Sequence, residues 1–228
     1  MKKNLLTLIE FWNEERSLTV LLVLLSLFIF VFVPFVGEGE PGEEFIRIIY
    51  SIILFTAILS VAKHKRSVIV ISIFAFIGLI ANWLSEFEAS KSMLIANDIV
   101  GIVFNFFFAL VILYKTFKPG EITFHRIEGS IVVYLLVGLI FAFVFHAVYL
   151  LAGTSSFNNI TGADLRQFLY FSFTSLTTMG YGDITPVHPM VRSLANLEAL
   201  IGQLYPAILI ARLVSMEFES SAKKREKK

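Results

Sequence analysis

Long apolar runs dominate this chain and leave it few folds to choose from. Six of them recur, at about residues 18–36, 45–62, 67–84, 93–117, 129–152 and 191–216. Each is close to the ~20 residues that a helix needs to cross a hydrocarbon core about 30 Å thick. Their apolar residues surround the whole helix instead of forming one stripe, which suits burial in lipid. The 228 residues are 57% hydrophobic, include 24 Phe and have a mean hydropathy of +0.78. Soluble domains are nearer ~45–50% apolar. The expected fold class is therefore an all-α membrane protein with six transmembrane helices. The span count excludes a soluble or secreted enzyme, and no catalysed reaction is expected.

Charge sets the expected orientation. Lys2, Lys3 and Arg16 precede the first run, and Lys63, Lys65 and Arg66 separate the second from the third. Lys115, Lys118 and Arg126 lie between the fourth and fifth, and five more basic residues follow Lys223 inclusive. These segments hold most of the 19 basic residues and fall on one side if six helices alternate. Glu38, Glu40, Glu43, Glu44, Glu86 and Glu88 fall on the other. The positive-inside rule then places both termini in the cytoplasm. A net charge of +1 gives no pull toward nucleic acid, and the lack of cysteine removes disulfides and thiolate metal sites. Residues 1–17 carry Glu10, Glu14 and Glu15 and do not read as a signal peptide. Leu5, Leu8, Ile9 and Trp12 share one helical face there, so the segment reads as a cytoplasmic stub or as an interfacial helix.

Between the last two runs lies the heptad Thr177-Thr178-Met179-Gly180-Tyr181-Gly182-Asp183. From Glu128 to Ser215 the order is outer helix (129–152), polar loop, short helix (163–176), heptad (177–183) and inner helix (191–216). This pattern resembles the pore domain of the tetrameric potassium channel superfamily, above all its small prokaryotic members. The resemblance covers 118–216 as a pore domain and implies a re-entrant pore helix and selectivity filter between helices 5 and 6. It implies that potassium is the permeant ion and that the carbonyls of Thr178, Met179, Gly180 and Tyr181, with the Thr178 hydroxyl, replace its water. Thr174, Thr177, Gly182 and Asp183 would support them. Successive carbonyls face one axis only if alternate residues are left-handed, which glycine adopts cheaply, and Gly180 and Gly182 are spaced for this. Met179 stands where Val is commoner, and its flexible side chain suggests looser packing behind the filter. Phe168, Tyr170, Phe171 and Phe173 could form an aromatic collar around Tyr181. Asp183 is expected to find a hydroxyl or water as its partner.

One filter strand cannot surround an ion, so a homotetramer in a lipid bilayer is implied, placed in a prokaryotic inner (plasma) membrane. On the inner helix, Gly202 and Pro206 read either as a hinge or as sites of close packing. Gln203, Pro206, Ile210 and Val214 are candidates to face the cavity. The first four spans (18–117) resemble a voltage-sensor domain, but between Lys91 and Lys115 the fourth lacks the repeated basic residues that sensing needs. Asp98 reads as a proton or ligand sensor or as a hydrogen-bonded packing residue near Asn82 or Asn97. His146 reads as a pH sensor or as a histidine satisfied by a neighbour. Glu198 reads as a gating group or as a brace for the pore helix through a hydroxyl such as Ser175. The basic tail (217–228) is too short for a soluble ligand-binding domain, so none is expected on this chain. The rival functions are a weakly selective monovalent cation channel and a non-conducting membrane sensor or accessory subunit.

Overall fold

The structure, a computed structural model, describes residues 14–36, 40–60, 65–87, 90–117 and 124–226. The interfacial-helix reading of Leu5, Leu8, Ile9 and Trp12 lies outside the described residues. The chain divides into two compact units, Met1–Val111 and Ile112–Lys228.

The described residues of the first unit are helical except Val36 and Ser90. Helix α1 (Glu14–Leu27) continues through a π-helical stretch (Phe28–Phe32) into a last turn (Val33–Phe35). Pro34 explains the change of register. It has no N–H to offer the carbonyl four residues back, and its ring crowds that position. The ladder widens instead, and Val33 N donates to Phe28 O, a bond of the π type. Helices α2 (Glu40–Ser60), α3 (Lys65–Phe87) and α4 (Lys91–Thr116) follow. Leu21 and Leu25 of α1 and Leu54 and Ala57 of α2 are buried to 1% exposure or less. Phe28 and Tyr50 meet at 5.9 Å between ring centroids, and Phe32 and Phe45 meet edge to face at 5.4 Å. Phe74 and Phe107 stack at 5.2 Å between α3 and α4.

The second unit is built on α5 (Phe124–Ala152), a helix of 29 residues. At 1.5 Å per residue it is longer than a bilayer core is thick. It starts before the apolar run because the polar turn from His125 to Glu128 is also helical. A short helix α6 (Leu165–Leu176) and a long helix α7 (Pro189–Glu226) pack against it. Helix α6 starts two residues later than the sequence pattern predicts, since Asp164 is its N-cap and accepts from Arg166 N at 3.0 Å. Helix α7 begins with Pro189 in its first turn and runs on past Met216 to Glu226, so the segment expected as a tail is largely helical. A two-residue ladder pairs β1 (Phe157–Asn158) with β2 (Thr185–Pro186) in antiparallel register and ties the polar loop to the stretch after the heptad.

The core of this unit is aromatic. Phe141, Phe145, Val148 and Tyr149 of α5 pack with Phe157, Phe168 and Phe171. Phe145 meets Phe171 at 4.9 Å, and Phe168 meets Tyr149 at 5.1 Å. Such pairs add roughly 0.5–1.5 kcal/mol each beyond the area they bury. They also set the rotation of α6, because Phe168 and Phe171 are three apart and so share one helical face.

Among the described residues, four stretches are long and apolar enough to cross a membrane: Ser17–Phe35, Lys91–Thr116, Phe124–Ala152 and Pro189–Met216. Helices α2 and α3 have lengths of 21 and 23 residues, and α3 holds a shorter apolar stretch, Ile71–Trp83.

Candidate functional site

The heptad leaves the C-terminus of α6 in an unusual backbone conformation. Thr178 has φ +58°, Gly180 +54° and Gly182 +78°. Every second residue is therefore left-handed across three positions. For a β-branched residue that conformation is a genuine outlier. Two bonds hold it in place, since Thr178 N donates to Ser175 O at 3.0 Å and Gly180 N donates to Thr174 O at 3.2 Å. Thr177 closes the helix end, its hydroxyl donating to Phe173 O at 2.6 Å. Thr174 stays buried with its hydroxyl on Phe171 O at 2.9 Å. Met179 is 60% and Tyr181 67% exposed in the single chain.

The stretch after the heptad is anchored to the polar loop. Asn159 Nδ2 donates to Asp183 O at 2.7 Å, and Arg192 Nε donates to Pro186 O at 3.1 Å. Asp183 has a hydroxyl partner, as expected, and it is Tyr170, which donates to Oδ2 at 2.7 Å. This bond holds the Asp183 carboxyl below the usual carboxylate range and pushes the Tyr170 phenol up to about 12. In the single chain Phe168 and Phe171 pack against α5, and Tyr170 meets Asp183.

Behind the heptad, three helices meet closely. A Cβ on Gly138 of α5 would lie 2.6 Å from Phe173 Cζ. A Cβ on Gly202 of α7 would overlap the Leu176 carbonyl and lie 2.7 Å from its carbon. Both glycines thus sit where α6 has no room for a side chain. Helix α7 is continuous through Gly202 and Pro206. The Tyr134 hydroxyl donates to Leu176 O at 3.2 Å, and the Tyr205 hydroxyl donates to Ser130 O at 2.9 Å. Glu198 is fully buried and does touch a hydroxyl of α6, but that of Ser172, at 2.5 Å, in place of Ser175. Ser172 Oγ also lies 2.7 Å from Gly138 O.

The remaining candidates divide between the units. His146 Nε2 lies 3.1 Å from Ala163 O, an acceptor only, so that nitrogen carries the proton. Asp98 is buried in α4 of the first unit, 1% exposed. One face along α4 also holds Asn105, whose Nδ2 donates to Gly101 O at 2.7 Å. Gln203, Ile210 and Val214 are exposed along one side of α7, with Pro206 partly so. Sequence reasoning missed Tyr134, Gly138 and Ser172. The spacing of Ser172 and Ser175, both on α6, was the only available signal for the last of these.

The family comparison falls on the second unit. Residues 131–219 match a family described as ion channel, a domain of two transmembrane helices with a pore loop. A protein named LctB from Bacillus caldotenax is 42% identical over 50 residues, which is 22% of this chain and 37% of that protein. The protein of the same name from Geobacillus stearothermophilus is 44% identical over 50 residues, with the same shares. The chain thus spans little more than a third of the length of these curated relatives. No solved structure matches it. Most of α5, all of α6, the heptad and most of α7 fall within the matched residues, so residues 131–219 are similar to a pore-loop ion channel domain, a family of channels and not of enzymes.

Proposed function

We propose that this chain is one subunit of a homotetrameric, potassium-selective channel that lets potassium diffuse passively across a prokaryotic inner membrane. The observation that carries the reading is the alternation of left-handed backbone at Thr178, Gly180 and Gly182. Alternation of that kind lets successive carbonyls face the same way, so Thr178, Met179, Gly180 and Tyr181 supply oxygens in place of a hydration shell. No carboxylate is among the proposed ligands, so the ion can leave as readily as it enters. Four copies are needed to surround it. In the single chain 11% of the inner-helix span is buried, against 72% of the outer-helix span, which supports contact with neighbouring subunits. In this reading α2 and α3 also cross the membrane, giving six spans with both termini cytoplasmic. Gln203, Pro206, Ile210 and Val214 then line the cavity.

The test is reconstitution of the purified protein in liposomes with a potassium gradient. Flux is expected, with a reversal potential that follows potassium and barely responds when sodium replaces it. A reversal potential that treats the two ions alike would make this a weakly selective cation channel. Absence of flux at every pH, voltage and tension would point to a sensor or accessory subunit.

A further inference from the structure

The three oxygens behind the filter demand more protons than an ionised carboxylate allows. Ser172 Oγ lies 2.7 Å from Gly138 O and 2.5 Å from Glu198 Oε1. Both separations are hydrogen-bond distances for O–H···O. A serine hydroxyl has one hydrogen, and a main-chain carbonyl has none. If Ser172 gave its hydrogen to an ionised Glu198, its oxygen would face the Gly138 carbonyl at 2.7 Å with nothing between them. If Ser172 gave it to Gly138, an ionised Glu198 would face a bare lone pair at 2.5 Å. Only a second hydrogen, carried by Glu198, satisfies both contacts.

The surroundings agree. Glu198 lies within the apolar span Pro189–Met216 and has no exposed surface. Among the described residues no cation pairs with it, and its Oε2 has no hydrogen-bond partner. An ionised, unpaired carboxylate at such a place is costly. From α5 the titratable neighbour is Tyr134, whose hydroxyl is committed to Leu176 O. From α6 the facing group is Ser172. No charged group on either helix compensates a negative Glu198.

We propose that Glu198 is held as a neutral carboxylic acid and is a positioning residue for the filter. Its proton goes to Ser172 Oγ, the Ser172 proton goes to Gly138 O, and the inner, pore and outer helices are tied together at one point. Ser172 stands one turn before Leu176, where α6 hands over to the heptad. Loss of the Glu198 proton breaks one of the two bonds and frees α6 to shift against its neighbours. The consequence for conduction rests on the channel reading above, whereas the proton state does not.

Two measurements separate these. Infrared difference spectra of the reconstituted wild type against Glu198→Gln should show the carbonyl band of a neutral carboxylic acid at neutral pH, lost in the variant and lost from the wild type on strong alkalinisation. Absence of that band at neutral pH in the folded protein overturns the proposal, whether or not the protein conducts. In flux assays Glu198→Gln, whose amide can still donate to Ser172, should conduct at neutral pH and escape an alkaline loss seen in the wild type. Glu198→Ala should lose most of the flux. A Glu198→Gln protein as impaired as Glu198→Ala, or with the wild-type pH profile, overturns the positioning role.

Discussion

Tyr170 and Asp183 lie 13 residues apart and meet through a 2.7 Å hydrogen bond that links α6 to the last residue of the heptad. The acceptor is a carboxylate, so the bond is of the stronger, charge-assisted kind. Both groups are exposed in the single chain, and the bond crosses from a rigid helix to a loop. Tyr170→Phe removes it without changing the ring. The expected outcome is a filter that stops conducting sooner during sustained opening, read as faster decay of macroscopic current, with ion preference unchanged. Currents of wild-type duration in Tyr170→Phe would show that other contacts hold Asp183.

The same pair sets a pH window. Asp183 has its carboxyl lowered by the Tyr170 bond, so its contribution is complete above the ordinary carboxylate value and is lost as pH falls through the lowered one. Tyr170 is raised from 10.0 to about 12, so its contribution is complete below 10 and is lost as pH rises toward 12. Current decay should therefore be insensitive to external pH between those limits and accelerate beyond either. In Tyr170→Phe the acid limb should shift toward the ordinary carboxylate range. A titration of decay rate against external pH in both proteins checks this.

Gly202 faces the Leu176 carbonyl with no space for a methyl group, and Gly138 faces Phe173 in the same way. The two obstacles differ. Phe173 is a side chain and can turn aside, whereas Leu176 offers main chain at the very end of α6. Overpacking usually costs about 1–3 kcal/mol. Gly202→Ala should fall at the upper part of that range and Gly138→Ala lower, measured as thermal stability in detergent. A Gly202→Ala protein as stable as wild type would mean that α7 has slack at this point, which a hinge there would provide.

Much of the second unit was legible from residue order because its constraints are local. Apolar runs long enough for a bilayer located α5 and α7, and Gly180 and Gly182 marked two left-handed positions. The left-handed Thr178 was not legible, since threonine disfavours that conformation and only the bonds to Ser175 O and Thr174 O around it hold the turn. The partners of Tyr170 and Glu198 were hidden for another reason. They depend on the rotation of α6, which Phe168 and Phe171 set by packing on Phe145, Tyr149 and Phe157. Each residue advances about 100° around a helix. Tyr170 is thus turned away from the aromatic face toward Asp183, and Ser172 is brought to Glu198. The pattern of α6 alone cannot choose between Ser172 and Ser175, because both lie on one side of it.

Between Lys91 and Lys115, α4 contains no Lys or Arg, yet buries Asp98 and Asn105. A charge moved across the membrane contributes about 2.3 kcal/mol per 100 mV, and a helix without such charges contributes nothing of this kind. Open probability in planar bilayers should therefore vary only shallowly with voltage. Asp98→Asn should leave that slope unchanged. A steep voltage dependence that Asp98→Asn flattens would assign α4 a sensing role after all.

Gly180 and Gly182 carry the decisive test of the filter, because their role is conformational and nothing else about them is needed. At φ +54° and +78° a side chain costs roughly 1–2 kcal/mol per residue. Among the described residues a Cβ at Gly180 would meet no atom within 4 Å beyond its chain neighbours, which leaves room for the methyl group. The penalty falls on the backbone, which can relieve it by leaving the left-handed region and turning a carbonyl off the axis. Gly180→Ala and Gly182→Ala should therefore assemble to the same particle size as wild type and lose selective potassium flux. Size-exclusion profiles separate the two effects, and flux with potassium or sodium as the driving ion reads the second. Normal potassium selectivity in both variants would show that these carbonyls do not coordinate the ion.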